Sequence, residues 1–197
     1  MGYKALLRWF LQFLAVLHGP RFTHQNLQMK TLYLLRHAKS SWDNPDLKDF
    51  ERPLAQRGIG DVPTMVERFK ARLGSVDCII CSPAVRTKTT AKMWAQQLGV
   101  VSDKVGSNPE LYFAGSPMFL KAASLLDDDC NGAMLVGHNP AITDFVNEMA
   151  GSDIDNIPTC GLVELSLPID AWLEIEFASA ELVYFDYPKK TADNHDD

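Results

Sequence analysis

From residue 31 onward the chain alternates short apolar runs with segments of helical spacing, and this alternation restricts the fold more than any other feature. "TLYLL" and "VDCIIC" read as buried strands, and "GAMLVGH" as a third. Between them, "PLAQRGIGDVPTMVERFKARLG" carries Val62, Met65, Val66, Phe69 and Leu73 at helical spacing, with Gly74 as its stop and Pro63 as an expected early break. "SPAVRTKTTAKMWAQQLG" predicts a helix with Ser82 as cap, Pro83 in the first turn and Gly99 past the end. "SPMFLKAASLL" and "NPAITDFVNEMAG" predict two more, the second closed by Gly151. "GLVELSLP", "WLEIEFAS" and "AELVYFDYP" read as closing strands, the last two as a hairpin around Ser179 and Ala180. Strands separated by helices imply a three-layer α/β/α fold, with a mostly parallel central sheet and antiparallel C-terminal edge strands.

The 197 residues suffice for one domain with its own core, expected over residues 29–188. Met29 lies directly before the first strand. Residues 1–28 are read as a leader outside the core, either an upstream-start artefact or a loosely attached helix. Its apolar "ALLRWFLQFLAVLHG" is too short and too interrupted, by Arg8 and Gln12, to span a membrane. An interfacial anchoring helix and a signal peptide are the alternatives for it. Residues 189–197 form a polar tail. A net charge of −6 argues against a nucleic-acid or anionic-membrane partner, while leaving room for a local basic pocket. Four scattered cysteines favour a reducing, cytoplasmic setting over a disulfide framework. In "CIIC", strand alternation points Cys78 and Cys81 to opposite faces, so they read as two small buried hydrophobes.

In open α/β sheets, ligands bind beyond the carboxyl ends of the strands. Here Arg36 and His37 follow the first strand, Arg86 enters with the helix after the second, and His138 follows "AMLVG". Two arginines and two histidines on one sheet edge suit a phosphoryl group. Guanidinium forks match phosphate oxygens, and an unprotonated imidazole nitrogen can attack phosphorus. The neighbouring cationic groups disfavour protonation of that ring and stabilise the equatorial oxygens, so neither a metal nor another cofactor is expected.

"LLRHAKSSW", "FERPLAQRG", "CSPAVRTKTTA", "PELYFAG" and "LVGHNPAI" resemble the histidine phosphatase (phosphoglycerate-mutase-like) superfamily, most closely its small SixA-type branch of phosphohistidine phosphatases. The resemblance runs from about Met29 to "YFDYPKK", with R-H-A standing where R-H-G is familiar. It implies a phosphoglycerate-mutase-like fold with His37 as the nucleophile. Arg36 and Arg86 would hold phosphoryl oxygens, and His138 would donate to the phosphoryl group. Arg52 matches an arginine that some small members turn toward the site; a surface salt bridge is its other reading. Glu110 falls where larger members keep the acid that protonates the leaving group, against the alternative of a cap or loop carboxylate. The family's mutases and small-molecule phosphatases often carry long insertions over the site. "GVVSDKVGSNPELYFAGSPMFL" leaves little room for one, so an open site facing a phosphorylated protein or a small phosphomonoester is expected.

Other chemistries fit less well. Cys81 to Arg86 is C-x4-R, one residue short of a cysteine-phosphatase loop, with Pro83 where backbone donors are needed. Asp43, Asp46, Asp49 and Glu51 lack the ligand register of a metal loop and read as a solvated acidic stretch. A broad small-molecule phosphomonoesterase and a non-catalytic phosphate- or phosphoprotein-binding module remain the functional alternatives.

Overall fold

In the computed structural model of the chain, residues 29–190 are described, so the leader and the last seven residues of the tail lie outside the described residues. Six strands form one sheet: β1 (Lys30–Arg36), β2 (Cys78–Cys81), β3 (Val105–Ser107), β4 (Gly132–Gly137), β5 (Leu162–Leu167) and β6 (Glu181–Asp186). Their spatial order is β3-β2-β4-β1-β5-β6. The four strands from β3 to β1 run parallel, whereas β5 lies antiparallel to β1 and β6 antiparallel to β5. Among the described residues four helices cover the sheet: α1 (Gln56–Ala71), α2 (Val85–Leu98), α3 (Ser116–Ser124) and α4 (Ala141–Ala150).

Strand alternation divides the core in two. Leu32 and Leu34 of β1, with Ala133 and Leu135 of β4, pack on the face of Phe119 from α3 and Phe145 from α4. Tyr33, Leu35, Met134 and Val136 face the other way, toward Val62 and Phe69 of α1 and Trp94 of α2. Cys78 and Cys81 fall into opposite clusters, as strand alternation requires, and all four cysteines are free and buried. Edge-to-face ring pairs, Tyr33–Phe69 at 5.1 Å and Phe69–Trp94 at 5.7 Å, fix the second cluster. Among the described residues no helix is long and apolar enough to cross a membrane.

Four local expectations are corrected. Pro63 does not break α1; it faces solvent, one residue after the buried Val62 and one turn after the exposed Ile59. Ser82 is not a helix cap; Ala84 holds that position without a side-chain bond, and the Ser82 hydroxyl points elsewhere. "WLEIEFAS" is a short 3-10 turn (Trp172–Glu174), not a strand. Its buried residues, Trp172 and Ile175, are three apart, and the Trp172 indole N–H donates to the Cys130 carbonyl at 2.7 Å. No hairpin therefore turns at Ser179; β6 pairs with β5. The fourth correction is β3, which gives the segment after α2 an edge strand that its sequence did not announce.

Candidate active site

The site follows from strand order. β4 lies between β1 and β2, so Arg36 is paired with Gly137 and Cys81 with Val136. The residues just past those pairs, His37, His138 and Ser82, consequently leave three adjacent strand ends. The His37 N–H donates to the Gly137 carbonyl at 3.1 Å, and the Cys160 N–H reaches the His37 carbonyl at the same distance. The backbone under His37 is thus held from both sides. The two histidine rings stand 5.1 Å apart, centroid to centroid.

Hydrogen-bond roles set both tautomers. His37 Nδ1 lies 2.8 Å from the Ala38 carbonyl oxygen, which can only accept, so Nδ1 carries the proton and Nε2 keeps its lone pair. His138 is arranged oppositely. Its Nδ1 faces Arg86 Nη2 at 3.3 Å, and guanidinium can only donate, so Nε2 holds the proton and donates to Ser82 Oγ at 2.8 Å. Burial, with the charges of Arg86, Arg36 and Arg52, pushes the His37 pKa down to about 4 against the opposing bond to Ala38. Burial, then His37 and Arg86, pushes His138 down to about 3. Both rings are neutral at neutral pH.

The arginines differ in what they have left to give. Arg36 donates through Nη1 to the Ile157 carbonyl at 2.7 Å and to Asn156 Oδ1 at 3.3 Å, while its buried Nε has no partner. A buried guanidinium donor without an acceptor is costly alone and fits an anion. Arg86 is buried, and its Nη1 and Nη2 reach the Asp49 carbonyl and Asp49 Oδ2 at 2.5 and 2.9 Å. Arg52 is also buried, not a surface ion pair. Nη2 donates to Ser40 Oγ at 2.8 Å, Nε to the Ser41 carbonyl at 3.0 Å and Nη1 to Asp49 Oδ1 at 3.2 Å, and Trp42 stacks on the guanidinium at 3.2 Å.

Arg36, His37, Arg86 and His138 are therefore brought together, with Arg52 linked to them through Asp49. Glu110 is not drawn in: it is partly exposed and pairs with Lys121 at 2.7 Å. Two residues further on, Tyr112 does reach the site. Its hydroxyl donates to Asp49 Oδ2 at 2.9 Å, and its ring lies 5.7 Å from that of His138. Sequence reading missed Tyr112, Ser82 and Asp49. Asp49 left the i, i+3 spacing to Arg52 inside a stretch taken as solvated, while Ser82 and Tyr112 lie within "CSPAVRTKTTA" and "PELYFAG", where no site role was assigned to them. A cavity of about 240 Å³ opens beside His138, lined by Tyr112, Phe113, Asn139 and Pro140 among others.

The loop bearing Asp49 and Arg52 is pinned at its neck. Ser40 bridges to Leu54, the Ser41 N–H donates to the Pro53 carbonyl, and the Ala55 N–H to that of Lys39. Gly58 lies against the same backbone, where any Cβ would overlap the Lys39 carbonyl. Alanine at position 38 is accommodated because its methyl belongs to the core while its N–H donates to Thr90 Oγ1 at 3.1 Å.

Residues 32–111 match the model of the histidine phosphatase superfamily (branch 1), a stretch that includes His37, Arg52 and Arg86 and stops short of His138. Over that stretch the chain is similar to the histidine phosphatase superfamily. An uncharacterized protein of Mycobacterium leprae is 27% identical over 167 residues, spanning 79% of this chain and all of that one. The candidate phosphohistidine phosphatase SixA of Agrobacterium tumefaciens superposes with a TM-score of 0.69 at 27% identity, covering 81% of this chain and 98% of the other. Its counterpart from Nakamurella multipartitia gives 0.70 at 25%, covering 82% and 98%. The fold is accordingly the phosphoglycerate-mutase-like one of these SixA structures.

Proposed function

We propose that this protein is a metal-independent phosphatase that passes its substrate's phosphoryl group through His37, and that the substrate is phosphohistidine carried on a protein. The observation that carries this reading is the bond from His37 Nδ1 to the Ala38 carbonyl. It leaves Nε2 as the free nucleophilic nitrogen on a ring kept neutral by burial and by three arginines. In the first half-reaction Nε2 attacks phosphorus and the P–O or P–N bond to the leaving group breaks. Arg36 and Arg86 hold the equatorial oxygens, and the His138 Nε2–H, turned from Ser82, donates to one of them. In the second half-reaction water attacks phosphorus, the P–Nε2 bond breaks, and its electron pair returns to His37.

The choice of phosphohistidine rests on proton supply. Both site histidines are neutral at pH 7, Asp49 is ionised, and Glu110 is tied to Lys121, so no strong acid among the described residues stands ready for the leaving group. An alkoxide needs such an acid; a phosphoimidazole protonated on its second nitrogen departs as neutral imidazole and does not. The names of the SixA-type structures agree with this substrate class. The cavity beside His138 favours a second reading, a phosphomonoesterase for small molecules with good leaving groups.

The test is turnover in EDTA against a phosphohistidine-bearing protein, 4-nitrophenyl phosphate and glycerol phosphate. The expected order of kcat/KM follows leaving-group quality, with glycerol phosphate lowest. His37→Ala should lose more than about 10⁴-fold in turnover while still binding phosphate. EDTA-sensitive turnover, or hydrolysis that persists in His37→Ala, would overturn the mechanism. Binding without turnover by the unaltered protein would instead mark a non-catalytic module.

A further inference from the structure

We infer that Asp49 is a catalytic residue of the second half-reaction, accepting the proton of the water that hydrolyses phosphorylated His37. The inference rests on the phosphohistidine mechanism proposed above.

Asp49 occupies an unusual position for an acidic residue. A carboxylate beside a phosphate-binding arginine repels the ligand it would share, so its presence needs a use. Arg86 Nη2 bridges Asp49 Oδ2 at 2.9 Å and His138 Nδ1 at 3.3 Å, placing the carboxylate one guanidinium nitrogen from the histidine pair. Arg86 Nη1 takes the Asp49 backbone carbonyl as well, so the residue is gripped at two points. Tyr112 donates to Oδ2 from the opposite segment, while Oδ1 has only Arg52 Nη1 at 3.2 Å. Oδ1 therefore keeps a free lone pair, and the side chain is 54% exposed, so water reaches it. Partial burial acts to raise the carboxyl pKa; the bonds from Arg86 and Tyr112, the Arg86 charge and the Arg52 bond outweigh it and leave the group ionised.

An ionised carboxylate matches the asymmetry of the two half-reactions. Imidazole leaves without help from an acid, whereas water must lose a proton as it becomes phosphate. In the step assigned here, the water oxygen bonds phosphorus and its proton passes to Asp49 Oδ1. The P–Nε2 pair returns to His37, inorganic phosphate departs, and Asp49 releases the proton to solvent.

The experiment uses the full chain, ³²P-labelled phosphoimidazole as probe, rapid mixing and an alkaline quench that preserves phosphohistidine. Asp49→Asn is expected to lower kcat about 10²-fold and to trap label on His37 at close to one per chain. Its rate of label formation should stay within about threefold of the unaltered protein. Asp49→Glu should recover part of kcat and lose the trapped label. If label formation and kcat fall together, Asp49 only positions Arg86 and the inference fails. It also fails if kcat rises or inorganic phosphate binds more tightly without trapped label, since Asp49 is then a competing anion. If neither protein ever takes label on His37 while both turn over, the phosphohistidine mechanism falls, and the role of Asp49 with it.

Discussion

The site has two halves built on different principles. One half is borne by the frame: Arg36 and His37 at the end of β1, Ser82 and Arg86 at the junction of β2 and α2, and His138 at the end of β4. Its positions are set by sheet register, and a misplaced residue there would require moving a strand. The other half is borne by loops: Asp49 and Arg52 on the pinned segment after β1, and Tyr112 on the connection after β3. These residues are held mainly by one another and by Arg86, through bonds of 2.9–3.2 Å around one carboxylate. The frame half consists of fixed, desolvated groups, whereas the loop half can tolerate exchange of its partners. Frame changes should therefore remove both half-reactions, whereas loop changes should alter binding or, at Asp49, the second half-reaction alone.

The largest contrast is expected between two conservative substitutions that each keep a positive charge. Arg86→Lys loses the planar fork that reaches Asp49, His138 and the phosphoryl group together, and should lower kcat/KM by about 10²–10³-fold. Arg52→Lys loses stacking on Trp42 and the bond to Ser40, but each guanidinium nitrogen of Arg52 already bonds within its own loop. A loss of about tenfold or less is expected there, mostly in KM. Equal losses from the two, measured on one substrate, would break the division into frame and loop.

That same division explains what could be seen in the sequence. Arg36, His37 and His138 follow apolar runs directly, so the chemistry of the frame half was legible once strands were recognised. The neighbouring of β1 and β4 was not legible, because strand order depends on how crossovers pack, not on any one segment. "WLEIEFAS" misled because apolar residues at period two and period three coincide in so short a run; the buried Trp172 bond to Cys130 decided the outcome. Ser82 resembled a cap since it precedes a helix by a few residues, and only the third dimension brings His138 Nε2 to it. Asp49 and Tyr112, separated by 63 positions, meet through tertiary closure of two loops, for which local patterning carries no signal.

The pH dependence sharpens the contrast next, because the frame histidines are desolvated and the loop carboxylate is mostly exposed. In the unfolded chain His37 titrates near its ordinary value of about 6.5, and in the folded protein near about 4. As pH falls through this interval the unfolded state takes up the proton first, so the fold loses stability from about pH 6.5 downward and stops losing it near pH 4. His37 alone can contribute up to about 3 kcal/mol of this loss. Urea midpoints measured from pH 7.5 to 4 should fall accordingly, and His37→Gln should flatten the slope. Turnover should hold nearly constant down to about pH 5, since Nε2 stays unprotonated there. A histidine-like fall in activity centred near pH 6.5 would mean that His37 is solvated, and the frame half would lose its distinguishing property.

The smallest expected effect tests whether the frame half extends to a residue with no charge. Ser82 is fully buried, its backbone N–H is held by the Val136 carbonyl at 2.9 Å, and its hydroxyl accepts the His138 Nε2 proton. Ser82→Ala removes that acceptor and leaves His138 oriented by Arg86 alone, at the longer distance of 3.3 Å. The ring should then exchange between tautomers, and kcat should fall about three- to tenfold with KM little changed. Nitrogen-15 NMR of the histidine ring provides a readout that packing loss would not move. The unaltered protein should show one neutral tautomer of His138 protonated at Nε2, and Ser82→Ala a mixture. If the tautomer stays single and kcat is unchanged, the hydroxyl serves only to satisfy a buried polar group, and the frame's catalytic contribution ends at its charged and aromatic side chains.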